Sequence, residues 1–184
     1  MIQIESKIIE QCRLGNTIAF REVVQKYQPM VYSLSLKMLA DAEEAKDIVQ
    51  DTFIKVWQSM DRYDERYSFS TWIYTICSRL CLDRIKKLRW QSTMTDDINV
   101  LENYLSDSDP ERQIEGSEWI SVVKVLAHGL SYKQRLVFTL SQLEGLSTKE
   151  ITEITGLDTT QIKSNLSLAR KSVREQLMKL GYEG

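Results

Sequence analysis

The sequence predicts an all-α protein with two helical domains joined by an acidic linker. Apolar residues recur at the i, i+3, i+4, i+7 spacing of helices that bury one stripe. Residues 1–90 show no strand-like alternation of apolar and polar side chains. Between two periodic regions, charge rises and large apolar residues become scarce. We therefore assign residues 1–90 to a first domain, 91–116 to a flexible linker and 117–184 to a helix-turn-helix domain.

The distribution of charge follows a similar division. The 184-residue chain has a formal net charge of −2. Residues 1–90 hold 14 Lys and Arg against 12 Asp and Glu, a net +2, and residues 119–184 hold 9 against 6, a net +3. Residues 91–118 hold 1 against 8, a net −7. The weak total therefore does not exclude nucleic-acid binding, because local basic patches make the phosphate contacts.

Composition also bears on location and chemistry. The first residues lack the layout of a signal peptide, and no run approaches the ~20 apolar residues of a membrane span. We therefore expect a cytoplasmic protein without membrane insertion. Cys12, Cys77 and Cys81 form an odd set, which is typical of reduced thiols. With one histidine in the chain, we expect no metal site and no cofactor.

Three helices are predicted before residue 40. The first covers residues 4–14 and is ended by Gly15, the second covers 17–27, and the third covers 30–39 after the break expected at Pro29. The apolar side of the second helix comprises Ile18, Phe20, Val23, Val24 and Tyr27.

A fourth helix begins after Asp41, a good N-cap, with Glu44 three residues later as in a capping box. Its outer face comprises Asp47, Gln50, Asp51, Ile54 and Gln58. An isoleucine among carboxylates and amides is unusual for a purely solvated face and would suit a contact surface for a basic partner, although the pattern alone favours the ordinary wet face. The alternative is an ordinary wet face, since scattered surface apolar residues are normal.

A polar, aromatic loop over residues 61–70 leads into a further helix that begins near Thr71. The apolar stripe of this helix comprises Trp72, Ile73, Ile76, Cys77, Leu80, Cys81, Ile85 and Leu88. The helix ends basic, with Lys86, Lys87 and Arg89. Cations suit a helix C-terminus in any protein. Cations beside exposed aromatic rings would also suit a single strand of nucleic acid, which needs stacking and phosphate contacts.

The last third of the chain contains a helix over residues 117–128, a capping box at Ser131 and Gln134, and then a second capping box at Ser147 and Glu150. Gly156 supplies a tight turn and Asp158 caps the next helix. Short helix, glycine turn and second helix form the helix-turn-helix layout, whose second helix enters the major groove. The alternative is a plain helical hairpin with a solvated basic face.

Taken together, these motifs resemble the sigma factors of bacterial RNA polymerase. Residues 47–57 (DIVQDTFIKVW), 68–74 (SFSTWIY) and 82–87 (LDRIKK) look like region two, and residues 130–177 look like region four. The short two-domain form resembles the extracytoplasmic-function group. The resemblance implies promoter recognition and melting in complex with core RNA polymerase, without catalysis by this chain. It also implies an anti-sigma partner, often a membrane protein.

The resemblance assigns roles to three sets of residues. The polymerase-binding set is Asp47, Gln50, Asp51, Ile54 and Gln58. The set that contacts the minus-ten element is Tyr63, Tyr67, Phe69, Ser70, Tyr74, Arg79 and Lys86. The set that contacts the minus-thirty-five element is Thr159, Thr160, Gln161, Lys163, Ser164, Asn165, Ser167, Arg170, Lys171 and Arg174.

Two positions depart from the family pattern. Asn165 and Leu168 stand where such factors usually carry cations, so we expect a different base preference and a flatter salt dependence. For the linker, three interpretations fit the sequence: an acidic path near nucleic acid in the polymerase, a simple solvated spacer, or docking on a domain through its apolar residues. These residues are Ile98, Val100, Leu101, Tyr104 and Leu105.

Two other functional classes predict different features. A stand-alone helix-turn-helix regulator would bind duplex DNA without polymerase. An enzyme acting on nucleic acid would need a phosphate loop, a metal cluster or a nucleophile beside a histidine, and the sequence contains none of these motifs.

Overall fold

The computed structural model describes residues 6–94 and 129–179, and all regular structure in these two stretches is helical, as predicted. The first stretch contains α1 (Ser6–Arg13), α2 (Thr17–Leu39), α3 (Ala42–Gln58), a 3₁₀ turn (Met60–Arg62) and α4 (Phe69–Met94). The second contains α5 (Tyr132–Phe138), a π-helical turn (Thr139–Leu143), α6 (Thr148–Thr155) and α7 (Thr159–Lys179). The predicted helix over residues 117–128 and nearly all of the predicted linker lie outside the described residues.

The predicted break at Pro29 is wrong, because α2 runs through this residue without interruption. Pro29 lies on the solvent side of the helix, and so does Gln25, whose carbonyl loses its helical donor. Water can bind that carbonyl, while Tyr27 and Val31 are fully buried on the opposite side and hold the helix to the core. Ile18 was also assigned wrongly: it is 72% exposed, and Ala19 faces the core in its place.

The helix termini follow the capping residues that the sequence contains. The Asp41 carboxylate accepts the backbone N–H of Glu44 at 2.9 Å, which caps α3. Glu44 does not complete the predicted capping box, because its carboxylate pairs with Arg84 of α4. The boxes at Ser131 and Ser147 are formed in both directions, as predicted.

Helix α4 lies at the centre of the molecule. It packs against α2 and α3 on one side and against α6 on another. Ile73, Cys77 and Cys81 form its buried stripe, as predicted, and all three cysteines of the chain are buried free thiols. Among the described residues, no helix has the length and apolar content needed to cross a membrane.

The two halves of the chain share one hydrophobic core. The cluster that contains Tyr27, Leu34 and Ile73 continues into Leu140 and Ile151 of the second half. A smaller cluster of Leu130, Phe138, Ala169 and Val173 joins α5 to α7. Burying one such large apolar side chain contributes about 1.5–3 kcal/mol. We call this arrangement, in which the C-terminal helices cover one side of α4, the closed form.

Candidate nucleic-acid and protein interfaces

Helices α6 and α7 form the predicted helix-turn-helix. Gly156 ends α6 in the left-handed region, with φ of +72°, and its N–H donates to the carbonyl of Thr152. Asp158 and Gln161 then exchange two hydrogen bonds of 2.8 and 3.1 Å at the start of α7. The Gln161 side chain is therefore held at the start of α7 in the free protein, where its oxygen accepts the N–H of Asp158. The inner side of the motif is buried and comprises Ile151, Ile154 and Ile162.

The outer side of α7 is open to solvent. Nine of the ten residues predicted to contact the minus-thirty-five element are exposed, and Asn165 is half-buried. The Asn165 amide donates to the carbonyl of Gln161 at 2.8 Å. Helical periodicity places Lys163, Arg170 and Arg174 along one flank and Asn165 with Leu168 along the other. Leu168 is 52% exposed, so the helix presents a cationic flank beside an apolar and amide flank.

The loop before α4 is less open than predicted. We expected exposed aromatic rings, but Tyr63 and Phe69 are buried, with ring centroids 4.9 Å apart, and both also contact Trp72. The Tyr63 hydroxyl donates to the carbonyl of Tyr67 at 2.7 Å, and burial raises the pKa of Tyr63. Tyr67 itself is 44% exposed. The rings of Tyr63, Phe69 and Trp72 therefore pack on one another and hold the loop against the start of α4.

The predicted strand-binding residues on α4 divide into two groups. Arg79 and Lys86 are exposed, whereas Ser70 and Tyr74 are buried. The Tyr74 hydroxyl donates to a carboxylate oxygen of Glu144 at 2.9 Å. Burial, and then the charge of Glu144, raise the pKa of Tyr74 well above its ordinary value of 10.0. In the closed form the Tyr74 side chain is thus neutral, and its hydroxyl is hydrogen-bonded to Glu144 of the C-terminal half.

The predicted polymerase-binding set forms one exposed face on α3. All five residues are open to solvent, and Ile54 is 54% exposed. An open groove of about 490 Å³ borders this face. The groove is lined by Thr17, Phe20, Gln50, Phe53, Ile54, Trp57 and Gln58. The face therefore combines charge and amide groups with an apolar edge, which suits a protein partner.

Sequence reasoning missed the polar contacts that join the two halves. The Arg135 guanidinium, 5% exposed, donates to the carbonyl of Met38 at 2.6 Å. Glu144 binds Ser33, Lys37 and Tyr74. The one available signal was that Glu144 is the sole carboxylate between residues 119 and 149. Its partners lie 70 to 111 positions away, so no local pattern could identify them.

Comparisons with known proteins agree with this geometry. Residues 23–91 match the family Sigma-70 region 2, and residues 124–173 match Sigma-70, region 4. The chain is 30% identical over 181 residues to the ECF RNA polymerase sigma factor SigW of Bacillus subtilis, covering 95% of this chain and 97% of that one. It is 28% identical to the ECF RNA polymerase sigma-E factor of Haemophilus influenzae, covering 96% of both.

Two solved structures share the fold. CnrH in complex with the cytosolic domain of CnrY superposes with a TM-score of 0.68 at 20% identity, covering 94% of this chain and 96% of that one. The sigma factor RpoE in complex with the anti-sigma factor NepR from Bartonella quintana gives 0.70 at 24% identity, covering 86% and 96%. From its sequence likeness over nearly the whole length of SigW, the chain belongs to the extracytoplasmic-function (ECF) sigma factors of the sigma-70 family.

Proposed function

We propose that this protein directs core RNA polymerase to specific promoters and helps to open them. The observation that carries the proposal is the full-length likeness to SigW together with an exposed, cation-bearing recognition helix. The protein supplies binding energy, and the polymerase performs the chemistry. It acts in the cytoplasm, where such a polymerase works.

We assign polymerase binding to the face of Asp47, Gln50, Asp51, Ile54 and Gln58. A partner with basic side chains would pair with Asp47 and Asp51, and an apolar side chain of that partner would enter the groove beside Ile54. Asp51 already stands 3.8 Å from Arg84. This pair is partly exposed, so a partner can compete for the carboxylate at small cost.

We assign the upstream promoter element to the exposed side of α7. Hydroxyls and amides near its start reach base edges, and the cations of its second half hold phosphates. We assign the minus-ten strand to the loop around Tyr67 and to Ser70, Tyr74, Arg79 and Lys86 of α4, together with Tyr63 and Phe69. Because Tyr74 is bound to Glu144 of the C-terminal half, its part in strand capture requires the closed form to open. Tyr63 and Phe69 are buried against Trp72 within the first half, so their part requires the loop to rearrange.

We also propose an anti-sigma partner. Two structures with this fold, CnrH and RpoE, are complexes with CnrY and NepR respectively. The α3 face and the exposed side of α7 offer surfaces that such a partner would cover. Such a partner is often bound to the membrane.

The test is transcription by bacterial core polymerase on a pool of promoters, with RNA starts read by sequencing. New starts that share two spaced upstream elements are expected only when the protein is added. Asp51→Arg should weaken core binding about tenfold, since it places a cation against a basic partner. Glu22→Arg, which makes the same reversal at an exposed site on α2, should leave binding unchanged.

A stand-alone duplex-binding regulator is the second candidate, because α7 is accessible without any opening. It predicts specific duplex binding with no core binding and no new starts. That combination would replace the sigma proposal.

A further inference from the structure

Glu144 of the C-terminal half lies in a cradle of three donors from the N-terminal half. Lys37 Nζ donates to one carboxylate oxygen at 2.6 Å, and Ser33 Oγ donates to the same oxygen at 3.0 Å. The Tyr74 hydroxyl donates to the other oxygen at 2.9 Å. We call Ser33, Lys37 and Tyr74 the anion cradle. Its donors come from two helices, α2 and α4, which the shared core holds in a fixed relation.

In the closed form the cradle is buried, and the carboxylate of Glu144 accepts from all three of its donors. Lys37 is 9% exposed and Tyr74 6% exposed, so both side chains are withdrawn from water. The Lys37 and Glu144 side chains are 11% and 10% exposed as an ion pair. A buried ammonium with hydroxyl donors beside it strongly favours a bound oxyanion, because an unpaired buried charge is costly.

The C-terminal half delivers its carboxylate through an unusual piece of backbone. The turn Thr139–Leu143 is π-helical, and the N–H of Glu144 donates to the carbonyl of Thr139 at 2.9 Å. Gly145, with φ of +70°, follows at once and ends the segment. π-Helical turns are rare and occur frequently at functional sites. The π-helical turn thus ends at the point where the carboxylate of Glu144 contacts the anion cradle.

We propose that the anion cradle is a phosphate site for the melted promoter strand, and that Glu144 occupies it as an internal substitute in the closed form. The proposal rests on the proposed function, because it takes the ligand to be a backbone phosphate of single-stranded DNA. A carboxylate and a phosphate both present charged oxygens to the same donors. Opening moves Glu144 away and leaves the three donors for the phosphate.

The position of the cradle supports this ligand. Tyr74 stands one helical turn beyond Ser70 on α4, and Arg79 is exposed farther along the same helix. Ser70 and Tyr74 share one side of α4, so a strand bound along that side at Ser70 would reach Tyr74 one turn later. Arg79 lies about 140° around the helix from Tyr74 and faces another side. The cradle thus supplies a phosphate contact on the side of α4 that carries Ser70 and Tyr74, where Glu144 binds in the closed form.

The experiment measures binding of a short single-stranded oligonucleotide to the full chain, in the absence of polymerase, across a range of salt concentrations. Glu144→Gln should raise the affinity by about fivefold or more, because the competitor loses its charge and the open form becomes more populated. A probe of the same bases with an uncharged methylphosphonate backbone should gain nothing. Small-angle X-ray scattering should show a larger radius of gyration for Glu144→Gln.

The matched control is Glu153→Gln, which removes the same charge on the side of α6 opposite Ile151 and Ile154 and should change neither quantity. Adding Lys37→Gln to Glu144→Gln should lower strand affinity again and make the dependence of log affinity on log salt shallower by about 0.7. Ser33→Ala removes a weaker donor at a half-buried position and should give a smaller loss in a chain of unchanged circular dichroism.

Three results would overturn the proposal. Glu144→Gln could leave both shape and strand affinity unchanged, or it could open the molecule without improving strand binding. The salt slope could also remain the same after Lys37→Gln. These results differ from a failure of the proposed function. In that case the wild-type chain would give no promoter-specific starts with core polymerase.

Discussion

The two helices assigned to DNA, α7 and α4, differ in what the closed form leaves accessible. On α7, all ten assigned residues except Asn165 are exposed. On α4, Ser70 and Tyr74 are buried, and Tyr74 is bound to Glu144 of the other half. The surface proposed to bind duplex DNA is therefore accessible in the free protein, whereas Tyr74, proposed to bind the melted strand, becomes accessible only after a change in domain packing. Four predictions test this difference in accessibility and the contacts that cause it.

The largest expected effect concerns the cations of α7. Replacing Arg170, Lys171 and Arg174 together with alanine should weaken binding of the free protein to duplex promoter DNA about 100-fold. Three charge-assisted contacts would be lost, at about 1 kcal/mol each for exposed groups. The salt slope should fall by about 2.7, as expected for three phosphates on a duplex. Titrations by fluorescence anisotropy at several salt concentrations would measure both.

The matched variant lies on α4. Arg79→Ala with Lys86→Ala removes two exposed cations from the other helix. It should leave duplex binding by the free protein intact and lower promoter opening by polymerase, measured by permanganate footprinting. Equal loss of duplex binding from both variants would contradict the difference drawn between the two helices.

The second prediction concerns the contact that closes the molecule at the end of α2. The Arg135 guanidinium meets the Met38 carbonyl in the last turn of α2, where carbonyls lack helical donors and a cation is favoured. Arg135→Met should lower the free energy of unfolding by about 2 kcal/mol, because a buried carbonyl loses a charged donor. Urea denaturation monitored by circular dichroism would measure the change.

Lys133→Met provides the control for this substitution, since Lys133 is exposed two residues earlier in the same helix. It should change the stability by less than about 0.5 kcal/mol. If Arg135→Met behaves like Lys133→Met, the contact with α2 does not hold the two halves together.

The same comparison of α7 with α4 shows which features could be predicted from the sequence. The two helices of the helix-turn-helix were predicted correctly because their signals are local: Ser147, Gly156 and Asp158 fix the ends of α6 and α7 within a few residues. The burial of Tyr74 was missed because its cause, Glu144, is 70 residues away. Periodicity marks one apolar stripe on a helix, but it does not reveal that a second surface will be covered by another domain.

The Pro29 and Tyr63 errors have the same origin. A proline inside a helix is disfavoured by local rules, and only the packing of Tyr27 and Val31 on the core explains why α2 continues. Aromatic residues in a polar loop suggest exposure, and only the partners Phe69 and Trp72 explain why Tyr63 is buried. Tertiary contacts override both local preferences.

The third prediction uses pH to detect the buried hydroxyl of Tyr74. Its pKa in the folded chain is raised above the ordinary value of 10.0, so the folded state holds this proton more tightly than the unfolded state. The resulting stability is fully present below pH 10 and is lost as the pH rises above it. Each linked proton contributes a slope of about 1.4 kcal/mol per pH unit.

Tyr74→Phe should therefore flatten the fall in unfolding free energy above pH 10, measured by urea denaturation at stepped pH. Tyr67→Phe removes the hydroxyl of an exposed ring and should leave the slope as in the wild type. An unchanged slope in Tyr74→Phe would show that the hydroxyl is not sequestered in solution.

The smallest expected effect concerns the apolar flank of α7. Leu168 is 52% exposed on a flank of α7, so Leu168→Arg should add one phosphate contact. Duplex affinity should rise a few-fold, and the salt slope should steepen by about 0.9. Met178→Arg adds the same charge at a 59% exposed site near the far end of the helix, away from the groove-entering start, and should add little. An equal gain from both variants would indicate general attraction to DNA and would contradict the placement of Leu168 beside the duplex.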